Sequence, residues 1–202
     1  FLTYRFNLSI LIIAMILQNQ KIIIIGGGIL GLSIAREFLL KGFKNITILE
    51  KENDIATHQS LRNSGVMHSG LYYAPNSLKA KLSRKGIFLM KNYCTNNSVK
   101  WEECGKIVVA NNDNELNRLE LLFERGKKNN LTGLQMLNAK EVNKIEPYVN
   151  ARAGILVPEE SIVDYKEVAI KYQEEINSLG GEIKLSSRVI QINNFRNYEE
   201  IV

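Results

Sequence analysis

An α/β fold built on a parallel sheet is what the sequence predicts, and three observations carry that expectation. Residues 21–25 (KIIII) are, after Lys21, continuously apolar and β-branched, as a strand buried on both faces should be. Glycines 26, 28 and 31 follow at once in the spacing G-x-G-x-x-G. A helical pattern (Leu30, Ile34, Phe38, Leu39) then leads to a second strand, residues 46–49, closed by Glu50. Strand, helix and strand in so short a span require a right-handed parallel crossover.

The remaining elements follow in order. Gly42 stands where a helix C-terminal cap is expected. Residues 53–75, rich in Ser, Asn, Gly and His, read as a long connection, a length that is uncommon unless it serves a site. A helix is expected over 76–96, capped by Ser77, with Leu78, Leu82, Leu89 and Tyr93 on one face. Residues 99–110 read as a hairpin or two short strands about Gly105, and 113–128 as a charged helix. A short helix over 138–145 is halted by Pro147, and 154–157 is strand-like. Residues 164–179 form an amphipathic helix with Asp164 as N-cap, ended by Gly180-Gly181, and 182–192 alternates as a strand. Trp101 and both cysteines, Cys94 and Cys104, are expected in the core.

Composition narrows the function classes. The 202 residues are 45% hydrophobic, enough for one or two domains with a sizeable core. The net charge of +5 is dispersed, densest at Lys79, Lys81, Arg84 and Lys85, without interleaved aromatics, so no nucleic-acid partner is expected. Neither cysteine has metal-ligand spacing, which argues against a metal site, and both read as reduced thiols of an intracellular, reducing compartment. The chain opens at Phe1, and its apolar run LSILIIAMIL (8–17) is far shorter than the roughly 20 residues a bilayer span needs. Residues 1–20 stay open between a targeting leader and upstream translation ahead of a start at Met15.

The glycines have mechanical roles. Gly26 allows the tight turn, Gly28 leaves room for a pyrophosphate, and Gly31 lets helix and strand pack closely. The helix N-terminus offers unpaired N–H groups and the positive end of its dipole to phosphate. Glu50, 19 residues after Gly31, suits a ribose hydroxyl and opposes a 2′-phosphate. This pattern points to an adenine dinucleotide and does not separate NAD from FAD.

The stretch HQSLRNSGVMHSGLYYAPNSLKAKL (58–82) is a polar loop returning to the phosphate site. Ser60, Arg62, Asn63 and Ser64 supply donors, while Gly65 and Gly70 allow close approach to something flat or anionic. His68 is the candidate for proton exchange, with a structural role as the alternative; His58 reads as a loop residue. Tyr72 and Tyr73 wall a pocket or pack. Among Lys79, Lys81 and Arg84, a cation for a substrate carboxylate competes with an ordinary solvated surface.

The run NSGVMHSGLYY followed by SLKAKL resembles the L-2-hydroxyglutarate oxidase/dehydrogenase family, within the D-amino-acid oxidase-like superfamily. CGKIVVA (104–110), RLELLFERGKKNNLTGL (118–134), IEPYV (145–149) and IVDYKEVA (162–169) extend the resemblance over about residues 21–195. Met67 stands where the family pattern has Ile or Val.

The resemblance implies a Rossmann-like FAD-binding domain of the glutathione-reductase type plus part of a mixed-sheet α+β substrate domain. Residues 21–98 and 161–202 would belong to the first and 99–160 to the second, with the remainder of the protein lying beyond this stretch. It implies FAD held by Gly26, Gly28, Gly31 and Glu50, with Arg62, Asn63 and Ser64 along the phosphate and ribityl region. Backbone groups at Val189, in the strand after the long helix, would meet the adenine. The implied activity is oxidation of a small 2-hydroxy acid, L-2-hydroxyglutarate to 2-oxoglutarate, by hydride transfer to the flavin N5. His68 would act in catalysis and Tyr73 and Lys81 on the substrate. Oxygen or a quinone would accept the electrons, with peripheral membrane association and a mitochondrial location in a eukaryote. A glycerol-3-phosphate or amino-acid oxidising relative, a non-catalytic fragment and an NAD-dependent Rossmann enzyme are the alternatives.

Overall fold

The computed structural model describes residues 19–195 and 199–202, so Met15 and nearly all of the expected leader segment lie outside the described residues. In chain order the elements are β1 (Lys21–Ile25), α1 (Ile29–Leu40), β2 (Asn45–Leu49), β3 (Val66–Met67), α2 (Leu78–Asn96), β4 (Trp101–Glu102), β5 (Lys106–Ala110) and α3 (Asp113–Lys128). They continue with β6 (Gln135–Asn138), α4 (Ala139–Ile145), β7 (Ala153–Val157), β8 (Ser161–Val163), α5 (Tyr165–Ser178), β9 (Glu182–Lys184), β10 (Ile192–Asn194) and β11 (Glu199–Ile201). The chain divides into two compact units, one formed by residues up to Asn63 and from Tyr165 onward, the other by Ser64–Asp164.

The first unit contains the expected parallel sheet. β1 pairs with β2 from Lys21↔Asn45 to Ile25↔Leu49, and β2 pairs in parallel with β9, giving the order β1-β2-β9. Helices α1 and α5 pack on each other. The buried stripe of α1 is Leu32, Ala35 and Leu39, whereas Leu30 and Ile34 are 75% and 47% exposed. The helix was correctly placed by its periodicity, but its inward face is turned from the expected one. Gly42 does follow the C-terminus, at φ +88°, with its N–H on the Leu39 carbonyl.

The expected strand over 182–192 is only three residues long at β9. The N–H groups of Ser186 and Ser187 donate to the carbonyls of Glu52 and Glu50, pulling the chain off the ladder. Val189 therefore lies in an irregular segment, half-buried, and not in a strand.

In the second unit β8 lies between β3 and β4, and β7 between β5 and β6, all antiparallel among the described residues. The stretch 99–110 is thus two strands in different sheets and not a hairpin. Its core gathers Leu71, Ala110, Leu119, Leu131, Ile155 and Val157. Capping follows the expected chemistry: the Ser77 hydroxyl accepts from Ala80 N, and Asn138 and Glu141 form a reciprocal capping box on α4.

The expected boundary at 98–99 falls inside this unit. Helix α2 is tied into it by Arg84 and Lys91, which bond the Glu159 side chain and carbonyl respectively. The buried residues of α2 are Ala80, Ile87 and Cys94, while Leu78, Leu82 and Leu89 are exposed. Cys104 is exposed rather than in the core.

Candidate functional site

In the first unit the glycine turn is shaped by close packing. Gly26 sits at φ +104°, a backbone region that side chains disfavour, and its N–H donates to the Leu49 carbonyl at 2.8 Å. A Cβ on Gly31 would lie 2.0 Å from the Gly26 carbonyl oxygen, so no side chain fits there. Gly28 is the N-cap of α1, and its carbonyl accepts the first helical bond, from Leu32 N at 2.9 Å. The amides of residues 29–31 then have no acceptor within the helix and face outward from its N-terminus.

The Ser60 hydroxyl accepts from one of them, Ile29 N, at 3.0 Å. A cavity of about 280 Å³ opens at this helix end, lined by Gly28, Ile29, Gln59, Ser60, Asn63 and Tyr165. Asn63 braces its own turn by donating to the carbonyls of Gln59 and Ser60. Arg62 is exposed on the same turn.

Glu50 is 7% exposed. Its Oε2 accepts from Gly27 N at 2.6 Å and its Oε1 from Glu52 N at 2.9 Å. Each oxygen retains a further acceptor site. The acid thus latches the turn to the end of β2, a role unforeseen for it and for Gly27, whose Cβ would press on Glu50 at 3.1 Å. The triple glycine at 26–28 was the visible signal. Next to this acid, Glu52 pairs with Lys51 and with His58 Nε2. The hydrogen bonds from Lys51 and His58 hold its carboxyl down at about 2.

Amides at a helix start, glycines where a Cβ would intrude and an acid closing the next strand fit the diphosphate and ribose of a dinucleotide. Val189 follows Ser187, whose N–H donates to the Glu50 carbonyl at 2.8 Å, so its backbone runs near the same strand end.

The second unit holds a separate cluster. Pairing of β3 with β8 matches Met67 to Ser161, which sets residue 68 opposite residue 160. His68 Nδ1 lies 3.2 Å from Glu160 Oε2. Glu160 Oε1 accepts from Ser69 N at 3.1 Å, Ser69 Oγ at 2.8 Å and Lys106 Nζ at 3.0 Å. The Glu160 side chain is 2% exposed and the His68 side chain 54%. Burial works to raise the Glu160 carboxyl, but the donors Ser69 and Lys106 outweigh it and hold the group below the usual carboxylate range. Lys106 Nζ also stands 4.8 Å over the Tyr72 ring. Glu160, Ser69 and Lys106 were missed in the sequence; an acid pair ahead of a short buried strand was the available clue.

Other expected residues lie elsewhere in this unit. The Tyr73 carbonyl accepts from Asn129 Nδ2 at 2.8 Å. Lys81 lines a cavity of about 580 Å³ with Arg84, Lys85, Phe88, Lys128 and Asn129. Arg84 is already committed to Glu159 in a two-pronged ion pair at 2.5 and 3.1 Å. Ser64, exposed, opens the unit. The close approach at Gly65 is to the Val163 carbonyl, 2.8 Å from a hypothetical Cβ, and that at Gly70 is to Ser83. Both glycines therefore make close packing contacts within the unit. Among the described residues no helix is long and apolar enough to cross a membrane, and no cluster of potential metal ligands occurs.

The family model for FAD-dependent oxidoreductases matches residues 21–200. The chain is 42% identical to human mitochondrial L-2-hydroxyglutarate dehydrogenase over 167 residues, covering 82% of this chain and 36% of that protein. It is 39% identical to the Escherichia coli K12 L-2-hydroxyglutarate dehydrogenase over 176 residues, covering 87% and 42% respectively. It thus spans about two fifths of the length of such relatives. Among solved structures, the FAD-bound L-α-glycerophosphate oxidase of Mycoplasma pneumoniae superposes with a TM-score of 0.83 at 28% identity, over 91% of this chain and 49% of that one. Glycine oxidase from Geobacillus kaustophilus, at 18% identity and a TM-score of 0.80 over 89% of this chain and 50% of that one, shares the fold.

Proposed function

The chain belongs to the family of FAD-dependent oxidoreductases, and from that premise we propose that its protein oxidises L-2-hydroxyglutarate to 2-oxoglutarate. The observation that carries this reading is the 39–46% identity to proteins named L-2-hydroxyglutarate dehydrogenase, spread over 79–87% of the chain. Identity to the glycerophosphate oxidase is lower, at 28%.

When bound, FAD supplies the two-electron acceptor for the substrate's α-hydrogen. The glycine turn and the first-turn amides of α1 would hold the diphosphate, and Glu50 would take a ribose hydroxyl on its remaining acceptor sites. Arg62, Asn63 and Ser64 would lie along the phosphate and ribityl stretch, and the backbone at Val189 would meet the adenine. His68 would accept the hydroxyl proton, a step worth roughly 10²–10⁴-fold in rate for a well-placed base. Tyr73 and Lys81 are the proposed substrate contacts in this part of the protein, Lys81 offering its charge to a carboxylate. Oxygen or a quinone would reoxidise the flavin, the latter with peripheral attachment to a membrane. A eukaryotic source would place the protein in the mitochondrion, as the names of the eukaryotic relatives state for them.

The test is to assay the full-length protein, loaded with FAD, against L- and D-2-hydroxyglutarate, glycerol 3-phosphate and amino acids. Formation of 2-oxoglutarate from the L-enantiomer alone is expected. Preference for glycerol 3-phosphate or an amino acid would overturn the assignment.

A further inference from the structure

We propose that Glu160 is a positioning residue for His68: its buried carboxylate takes the Nδ1 proton of the ring and so presents Nε2, as a bare acceptor, to the substrate hydroxyl. The inference rests on the reading of His68 as the proton acceptor and deepens it. An ionised carboxylate can only accept hydrogen bonds, so the contact at 3.2 Å requires the proton on Nδ1. Nε2 has no hydrogen-bond partner among the described residues, and more than half of the His68 side chain reaches solvent.

A buried charge is costly unless several donors satisfy it. Glu160 has three besides the histidine, from Ser69 N, Ser69 Oγ and Lys106 Nζ, and all of them fall on Oε1. Oε2 is left to the ring. The charged groups about it are Lys106 on β5, which balances its charge, and the adjacent Glu159, neutralised by Arg84. The backbone is pinned as well, since the Glu160 carbonyl accepts from Gly105 N at 3.0 Å. The carboxylate is therefore held from three directions while the imidazole it orients projects outward.

Proton and electrons balance simply. The hydroxyl O–H breaks and its proton moves to His68 Nε2. FAD, when bound, would take the α-hydrogen with its electron pair as the C–O bond becomes C=O. The ring then carries a positive charge facing the Glu160 carboxylate, which stabilises it.

The experiment uses the full-length, flavin-loaded protein. In the wild type, imidazole ¹⁵N shifts should report His68 as the Nδ1–H tautomer; the Nε2–H tautomer would overturn the inference without any variant. Glu160→Gln should lower kcat about 10- to 100-fold with KM held within about threefold, and should move the acid limb of the kcat profile to lower pH. Glu160→Asp should recover part of the rate. If Glu160→Gln fails to fold, the Glu160→Gln/Lys106→Met pair, which removes both charges of the ion pair, takes its place with the same expected readouts. An unchanged kcat and unmoved acid limb, alongside an inactive His68→Asn, would sink the positioning role alone. A fully active His68→Asn would sink the assignment of the base itself.

Discussion

The two units act through different parts of the chain. In the first, the groups offered to a ligand are backbone amides at the start of α1, exposed because Gly26, Gly28 and Gly31 carry no side chains. In the second, the acting groups are side chains drawn together from afar, His68 and Glu160 being 92 residues apart in sequence. A backbone site is written locally, in glycine spacing and strand–helix rhythm. A side-chain site of this kind exists only once a strand register has been chosen, and register depends on the whole sheet.

That contrast can be broken or sharpened by substitution. The largest effect is expected at Gly31. Gly31→Ala places a methyl 2.0 Å from the Gly26 carbonyl, and the full-length protein should be recovered without bound flavin or in inclusion bodies. Normal flavin absorbance would show that the turn tolerates a side chain and would erase the backbone half of the comparison.

His68→Asn should leave flavin content intact while slowing turnover by roughly 10²–10⁴-fold, which separates the side-chain site from the backbone one. Glu50→Ala joins the two modes, since it removes a side chain that holds the turn. It strands the buried Gly27 N–H and should cost about 1–3 kcal/mol of stability, read in a denaturant titration, with weaker flavin binding.

The smallest effect concerns the exposed pair beside that acid. Glu52 should titrate near pH 2 by carboxyl NMR, well below the ordinary 4.5. Because its folded value is depressed, the stability it contributes is present above pH 4.5 and fades as pH falls towards 2. A midpoint near 4.5 would mean that Lys51 and His58 do not hold it.

Legibility followed the same division. β1, α1, β2, α3 and α4 stood where local rhythm and caps placed them, because hydrogen bonds between near neighbours decide those elements. The inward faces of α1 and α2 were misjudged. Leu30 and Leu78 satisfy a helical stripe, yet burial depends on what covers the helix, and Leu32, Ala35 and Ile87 are the residues covered. Residues 185–191 alternate like a strand, but the carbonyls of Glu50 and Glu52 capture Ser187 and Ser186. Gly65 and Gly70 were read as room for something flat or anionic; that the chain at Val163 and Ser83 also comes close to them is not told by composition alone. Glu160 was invisible for the same reason: nothing near position 160 says that His68 will face it.

The most direct measurement is anaerobic mixing of the flavin-loaded full-length protein, and of its His68→Asn variant, with L-2-hydroxyglutarate, followed at the flavin absorbance. The wild type should bleach and yield 2-oxoglutarate, while the variant keeps its full yellow colour and bleaches at least about 100-fold more slowly. A variant that bleaches at the wild-type rate, or a wild-type protein that takes up no flavin, would contradict the account.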